Sequence, residues 1–270
     1  MRATLIINFY KQLEPLKLIL AALDRQSIAD YEVIIADDGS PPEIVDQLQD
    51  CMKASKLNIR HIWHEDTGFR RTVILNKAIV DSRTEHLIFI DGDCIPHKNF
   101  MEAHIADREE NTTLAGRRVN LSPKLTQQVN AEMIRSGKLE RSWRRQVWWD
   151  GLFGKTTHVE RSYYLSSGRI QQMLHSGDVH ILGCNFSVNK KDVLAINGFD
   201  ERYLAWGYEE SDLEERLKWN GVRMKTVKNR AIVYHMFHRE RAGISDNEAL
   251  FRSVLEGKEP VTQFGINRKS

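Results

Sequence analysis

Residues 87–94 read Leu87-Ile88-Phe89-Ile90-Asp91-Gly92-Asp93-Cys94, an apolar run that stops at two carboxylates separated by one glycine. A strand apolar on both faces is buried between helices, and its C-terminal end opens on the crevice where α/β sheets bind ligands. Carboxylate oxygens are hard donors suited to Mg²⁺ or Mn²⁺, and a diphosphate completes such a shell. A plain strand followed by an Asp-Gly turn has the same local sequence. The surroundings therefore decide between the two.

Upstream, short apolar runs alternate with amphipathic segments, the pattern of βαβ units and a largely parallel sheet. Strands are predicted at Thr4 to Phe9, Glu32 to Ala36, Ile59 to Trp63 and His86 to Ile90. Helical spacing of Leu, Ile and Val covers 13–29, 44–54 and 72–82. Right-handed crossovers then place the strand ends on one rim, shared by Asp37, Asp38, Asp91 and Asp93. The alternation breaks near Leu114, and 120–180 is polar, basic and rich in tryptophan with no clear strand. Apolar alternation returns at 181–188, helices are predicted at 192–197 and 209–219, a late strand at 231–234, and a helix near 246–255 before a frayed tail.

The chain has 270 residues, 39 Lys plus Arg against 37 Asp plus Glu, and a formal charge of +2. It is long enough for one large α/β domain, and its balance argues against a polyanionic partner. Cys51, Cys94 and Cys184 are widely spaced, with no CxxC pair, as in a reduced cytosolic protein. The N-terminal apolar run is too short for a signal-peptide core, and no stretch reaches transmembrane length. A cytoplasmic location is expected.

Three clusters carry chemistry. Asp37-Asp38-Gly39-Ser40 ends the second strand, where a carboxylate accepts a base or ribose hydrogen bond or simply shapes a turn. Gly198-Phe199-Asp200-Glu201 precedes Trp206-Gly207-Tyr208-Glu209-Glu210, more acids than a helix start needs. A glutamate there, beside an apolar tryptophan platform, can take a proton from a hydroxyl. Tyr234-His235-Met236-Phe237-His238 offers imidazole nitrogens to complete a metal site begun at Asp93, with His235 and His238 both candidates.

In this order the clusters resemble the nucleotide-sugar glycosyltransferases of the GT-A fold within family 2, with a galactosyltransferase-type C-terminal module. The resemblance implies a Rossmann-like, mostly parallel sheet flanked by helices and an elaborated C-terminal half. Residues 1–115 would bind the nucleotide sugar and 116–270 the acceptor. It further implies that Asp38 meets uracil or ribose beside Asn8 and Tyr10, that Asp91 faces ribose and metal, and that Asp93 ligates Mn²⁺ or Mg²⁺. Arg70, Asn76 and Lys77 would run along the nucleotide, and Trp206 would support a sugar. Glu210 falls at the place of the catalytic base and Glu209 at that of a sugar-contacting acid; this chain has Glu where relatives commonly have Asp, which leaves open which is the base. The implied activity is an inverting, metal-dependent transfer from a UDP-sugar to a hydroxyl of a saccharide or lipid-linked saccharide, in building a bacterial surface polysaccharide or glycolipid.

Residues 135–149 combine Arg135, Lys138, Arg141, Arg144 and Arg145 with Trp143, Trp148 and Trp149. A basic, tryptophan-bearing helix lies on anionic lipid headgroups, or else packs its tryptophans on the domain. The lipid case would place the protein on the inner membrane face. No groove-reading motif points to nucleic acid. Two other readings compete: a sugar-nucleotide-binding scaffold without turnover, and a haloacid dehalogenase-type phosphohydrolase, whose Asp-Xaa-Asp normally opens the chain.

Overall fold

In the computed structural model, which describes residues 1–175, 179–239 and 245–267, ten strands form two sheets. They are β1 (Ala3–Phe9), β2 (Tyr31–Asp37), β3 (Ile59–Trp63), β4 (His86–Asp91), β5 (Cys94–Pro96), β6 (Thr112–Ala115), β7 (Arg117–Asn120), β8 (Phe186–Asn189), β9 (Arg223–Thr226) and β10 (Ile232–His235). The larger sheet runs β3-β2-β1-β4-β8-β6-β9, and the smaller runs β5-β10-β7. In the larger sheet β4 and β6 each pair antiparallel with β8, and the other pairs are parallel.

Residue alternation divides two cores. Leu5, Ile7, Val33, Ile35, Ile88 and Ile90 face the helix Leu13–Leu23, while Ile6, Ile34, Leu87 and Phe89 face Arg71–Asp81 and Glu209–Trp219. Apolar side chains on both faces are what makes each strand read as an uninterrupted run. The order in which strands are added reverses about β1: β2 lies on one side and β4 on the other, so the ends of β1 and β4 flank the switch point. In register, Asn8 pairs with Asp91 and Phe9 with Asp37. Gly92 turns so tightly here that a Cβ would stand 2.6 Å from the Asn8 carbonyl oxygen, so a side chain at this position would push β4 away from β1.

Several predicted boundaries shift for physical reasons. The helix expected over 13–29 ends at Leu23, because side chains take its last carbonyls: Gln26 Nε2 donates to Ala22 O and Tyr31 Oη to Leu23 O. The apolar stretch 181–188 forms a strand only from Phe186. The basic segment is two helices, Ala131–Arg135 and Ser142–Leu152, joined by a turn. The helix predicted over 246–255 spans Ser245–Gly257, and part of the predicted tail lies outside the described residues. Strands β8 and β9 from the second half of the sequence complete the larger sheet.

Candidate active site

A cleft of about 810 Å³ opens at the switch point, lined among others by Asn8, Tyr10, Asp38, Asp91, Asp93, Arg118, Trp206, Glu210, His235 and His238. Its size suits a small organic ligand.

Backbone pairing assembles one wall. β5 runs antiparallel to β10 with Cys94 opposite His235, and Met236 N donates to Asp93 O at 3.0 Å. That places His235 Nε2 3.5 Å and His238 Nε2 3.2 Å from Asp93 Oδ2, with the two imidazole nitrogens 3.2 Å apart. Both histidine candidates therefore reach the site. Ligand atoms of all three residues lie within 4.8 Å of one another. One carboxylate oxygen and two imidazole nitrogens make a donor set that fits a Mn²⁺-type ion. Burial opposes ionisation of Asp93, but hydrogen bonds and charge from His235 and His238 outweigh it and hold the carboxyl well below the usual range. Asp91 stands outside this triad and is tied elsewhere.

Its partner is Arg71, a residue the sequence reading passed over. This buried arginine opens the helix Arg71–Asp81; Nη2 donates to Asp91 Oδ1 at 3.1 Å, and Nη1 donates to Glu209 Oε1 at 3.1 Å and to Glu210 Oε1. Burial works against the cation, yet Glu210, Asp91 and Glu209 together raise its pKa and keep it charged. The adjacent Arg70 instead gives its backbone N–H to Asp38 Oδ2 at 3.0 Å. With the helix expected only from 72, nothing in the sequence separated Arg71 from Arg70; the observed helix start at Arg71 does.

The two glutamates part company. Glu209 is 1% exposed and accepts from Gly207 N at 2.8 Å. Burial and the neighbouring Glu210 charge push its carboxyl up to about 7, against the pull of Arg71. Glu210 lines the cleft. Gly183 backs the pair, since a Cβ there would collide with Glu210 Oε1 and stand 2.7 Å from Arg71 Nη2. The loop carrying Trp206 is pinned from below by Asn247, whose Nδ2 donates to Ala205 O and Gly207 O at 2.9 Å each. Asn247 was also missed, in a helix whose sequence signalled little beyond amphipathicity. Trp206 itself is 57% exposed at the cleft edge.

Just beyond β2, Asp38 accepts from His64 Nε2 at 2.7 Å, and burial raises its pKa despite that contact. Tyr10 Oη donates to Asp66 at 2.8 Å. Asp37 turns inward, fully buried, to Ser40 N and His61. Asn76 and Lys77 are not brought into the cleft. Five residues beyond Arg71 lies roughly 140° around the helix, so Asn76 faces the core and holds the Phe199 backbone through both its amide atoms, while Lys77 faces solvent.

A mostly parallel sheet whose switch point holds an Asp-Gly-Asp turn and a carboxylate pair defines a GT-A glycosyltransferase fold. The chain belongs to glycosyl transferase family 2, whose family model matches residues 4–192, and a second model, the N-terminal domain of galactosyltransferase, matches 171–239. That membership removes the phosphohydrolase alternative. Chondroitin synthase of Escherichia coli is 24% identical over 245 residues, covering 86% of this chain and 34% of that protein. The chain thus spans about a third of that relative's length. Among solved structures, GalNAc-T7 with UDP, GalNAc and Mn²⁺ superposes with a TM-score of 0.64 at 12% identity, covering 95% of this chain and 48% of that one. S. aureus TarS 1–349 with UDP-GlcNAc gives 0.61 at 14% identity, covering 96% and 65%.

Proposed function

We propose that the protein transfers a sugar from a UDP-sugar to a hydroxyl of a saccharide or lipid-linked saccharide, in the cytoplasm, with inversion at the anomeric carbon. The observation that carries this reading is the meeting, in one cleft, of the Asp93–His235–His238 donor set with the Arg71-held Glu210. Residues 1–115 supply the donor side and 116–270 the acceptor side. The UDP- and Mn²⁺-bound neighbours named above support the choice of donor and of a divalent ion, Mn²⁺ or Mg²⁺.

Asp38 is pre-set by His64 and the Arg70 N–H to accept a hydrogen bond from the base or ribose. Asp93, His235 and His238 would hold the metal, which when bound offsets charge on the departing diphosphate. Glu210 takes the acceptor hydroxyl's proton, with Arg71 fixing the carboxylate's orientation. Glu209, buried and bonded to Gly207 N, holds the loop that presents Trp206 to the sugar. A single base suffices, because a diphosphate leaves without the second carboxyl that glycosidases need.

Calorimetric titration of UDP and a panel of UDP-sugars, with Mn²⁺ and then with the metal chelated, tests the donor assignment. Metal-dependent binding is expected. Absence of binding in both conditions overturns it. With a competent acceptor, Glu210→Gln should keep UDP binding and lose about 10²–10⁴-fold in transfer; undiminished transfer would remove Glu210 as the base.

A further inference from the structure

The helix Ser142–Leu152 carries apolar residues on two opposite faces. Trp143 and Val147 point inward, Trp143 lying edge-on to Tyr234 at 5.7 Å within the third core cluster. At 100° per residue, Arg141, Arg145, Trp148, Trp149 and Leu152 fall together on the opposite side. These five are exposed, Trp149 at 65% and Leu152 at 71%, and Phe153 continues the surface at 75%. A domain-packed tryptophan explains Trp143 and leaves this outer face unexplained. Arg144 adds a cation over the ring of exposed Tyr163, 5.4 Å from its centroid.

The charge around the face is one-sided. Arg135, Lys138, Arg141, Arg145 and Lys155 are exposed. The intervening acids are engaged elsewhere: Glu140 accepts from Arg25 Nη1 at 3.0 Å and Asp150 from Thr156 Oγ1 at 2.6 Å. The apolar tip also adjoins the cleft. Two residues beyond Phe153, Lys155 lines it, and so does Thr157, which pairs with Asn120 of β7.

We propose that this outer face docks on an anionic lipid bilayer, with Trp148, Trp149, Leu152 and Phe153 entering the headgroup boundary and the arginines meeting lipid phosphates. Aromatic and aliphatic side chains beside a basic cluster suit that interface, whereas a polyanionic glycan would engage the arginines and leave the apolar tip in water. The inference extends the proposed transferase reading, since the docked face would set the acceptor end of the cleft at the membrane surface where a lipid-linked saccharide is presented.

Co-sedimentation of the full chain with vesicles of phosphatidylglycerol and phosphatidylcholine, against phosphatidylcholine alone, tests it, with UDP binding measured on the same samples. Binding to the anionic vesicles is expected, falling about ten-fold or more in Trp149→Ser/Leu152→Ser and in Arg141→Ser/Arg145→Ser, with UDP binding unchanged. Equal sedimentation of the variants and the unaltered protein would overturn the proposal. So would failure of the unaltered protein to sediment, whether gel filtration then shows a dimer that the Trp149 variant breaks or an anionic polysaccharide binds instead. Loss of UDP binding in the unaltered protein would strike at the donor assignment and leave the vesicle result standing.

Discussion

Arg71 and Asp91 are joined at 3.1 Å across the crevice between a helix start and a strand end, and the same guanidinium reaches both Glu209 and Glu210. One cation thereby links the end of β4 to the helix proposed to carry the base. Arg71→Met should leave these carboxylates without their cation, at a cost of about 3–5 kcal/mol in urea unfolding. Arg71→Lys restores charge but cannot span three acids as a fork does. It should recover most of the stability and little of the transfer rate, and full transfer by the lysine variant would show that the fork is dispensable.

Glu209 gives a pH signature of its own. Its carboxyl sits at about 7 in the folded chain against an ordinary 4.5. Between those values the folded state binds more protons than the unfolded one, so unfolding free energy falls as pH rises. The contribution is full below about 4.5 and lost through about 7. Subtracting the Glu209→Gln stability curve from that of the unaltered protein should give a difference that declines across this window and is level above it. A level difference throughout would mean that Glu209 is not held protonated by burial.

Gly183→Ala is expected to displace Glu210 from Arg71, because the added methyl occupies the space of that pair. Transfer should fall at least about ten-fold with UDP affinity nearly unchanged, as for a group that acts in the transition state and not in donor binding. A parallel loss of UDP affinity would show that the wall behind Glu210 also shapes the donor pocket.

For the metal triad, Asp93→Ala, His235→Ala and His238→Ala should each weaken Mn²⁺ binding, read by the paramagnetic resonance of free ion, by about ten-fold or more. A histidine variant with unchanged affinity would reduce the set to the remaining pair.

The sequence was most legible where side-chain periodicity is imposed by burial on both sides of a sheet. β1, β2, β3 and β4 fall within a residue or so of their predicted limits, and the helix Glu209–Trp219 is found at its predicted bounds. The strands left unread, β5, β6, β7 and β9, have three or four residues each, too few to show a period. β8 was read too long, because the apolar residues before it, Ile181, Leu182 and Cys184, pack into the two cores from irregular backbone. The same division runs through the site. Asp91, Asp93 and His235 stand out as polar interruptions at the ends of apolar strands and Glu210 by its place in an acid-rich helix start, but Arg71 and Arg70 are indistinguishable side by side until the first helical turn is fixed. The sequence left His235 and His238 as alternatives, and pairing of β10 with β5 brings both to Asp93.

That pairing ties the proposed metal site to the order in which the chain is completed. Asp93 belongs to the first half of the polypeptide, and the two histidines arrive only at and just after β10, the last strand among the described residues. A nascent or proteolytically shortened chain that stops before β10 keeps the β1–β4 rim with a solitary carboxylate where three donors should meet. Uptake of the ion would then report that the molecule has folded through to its late strand.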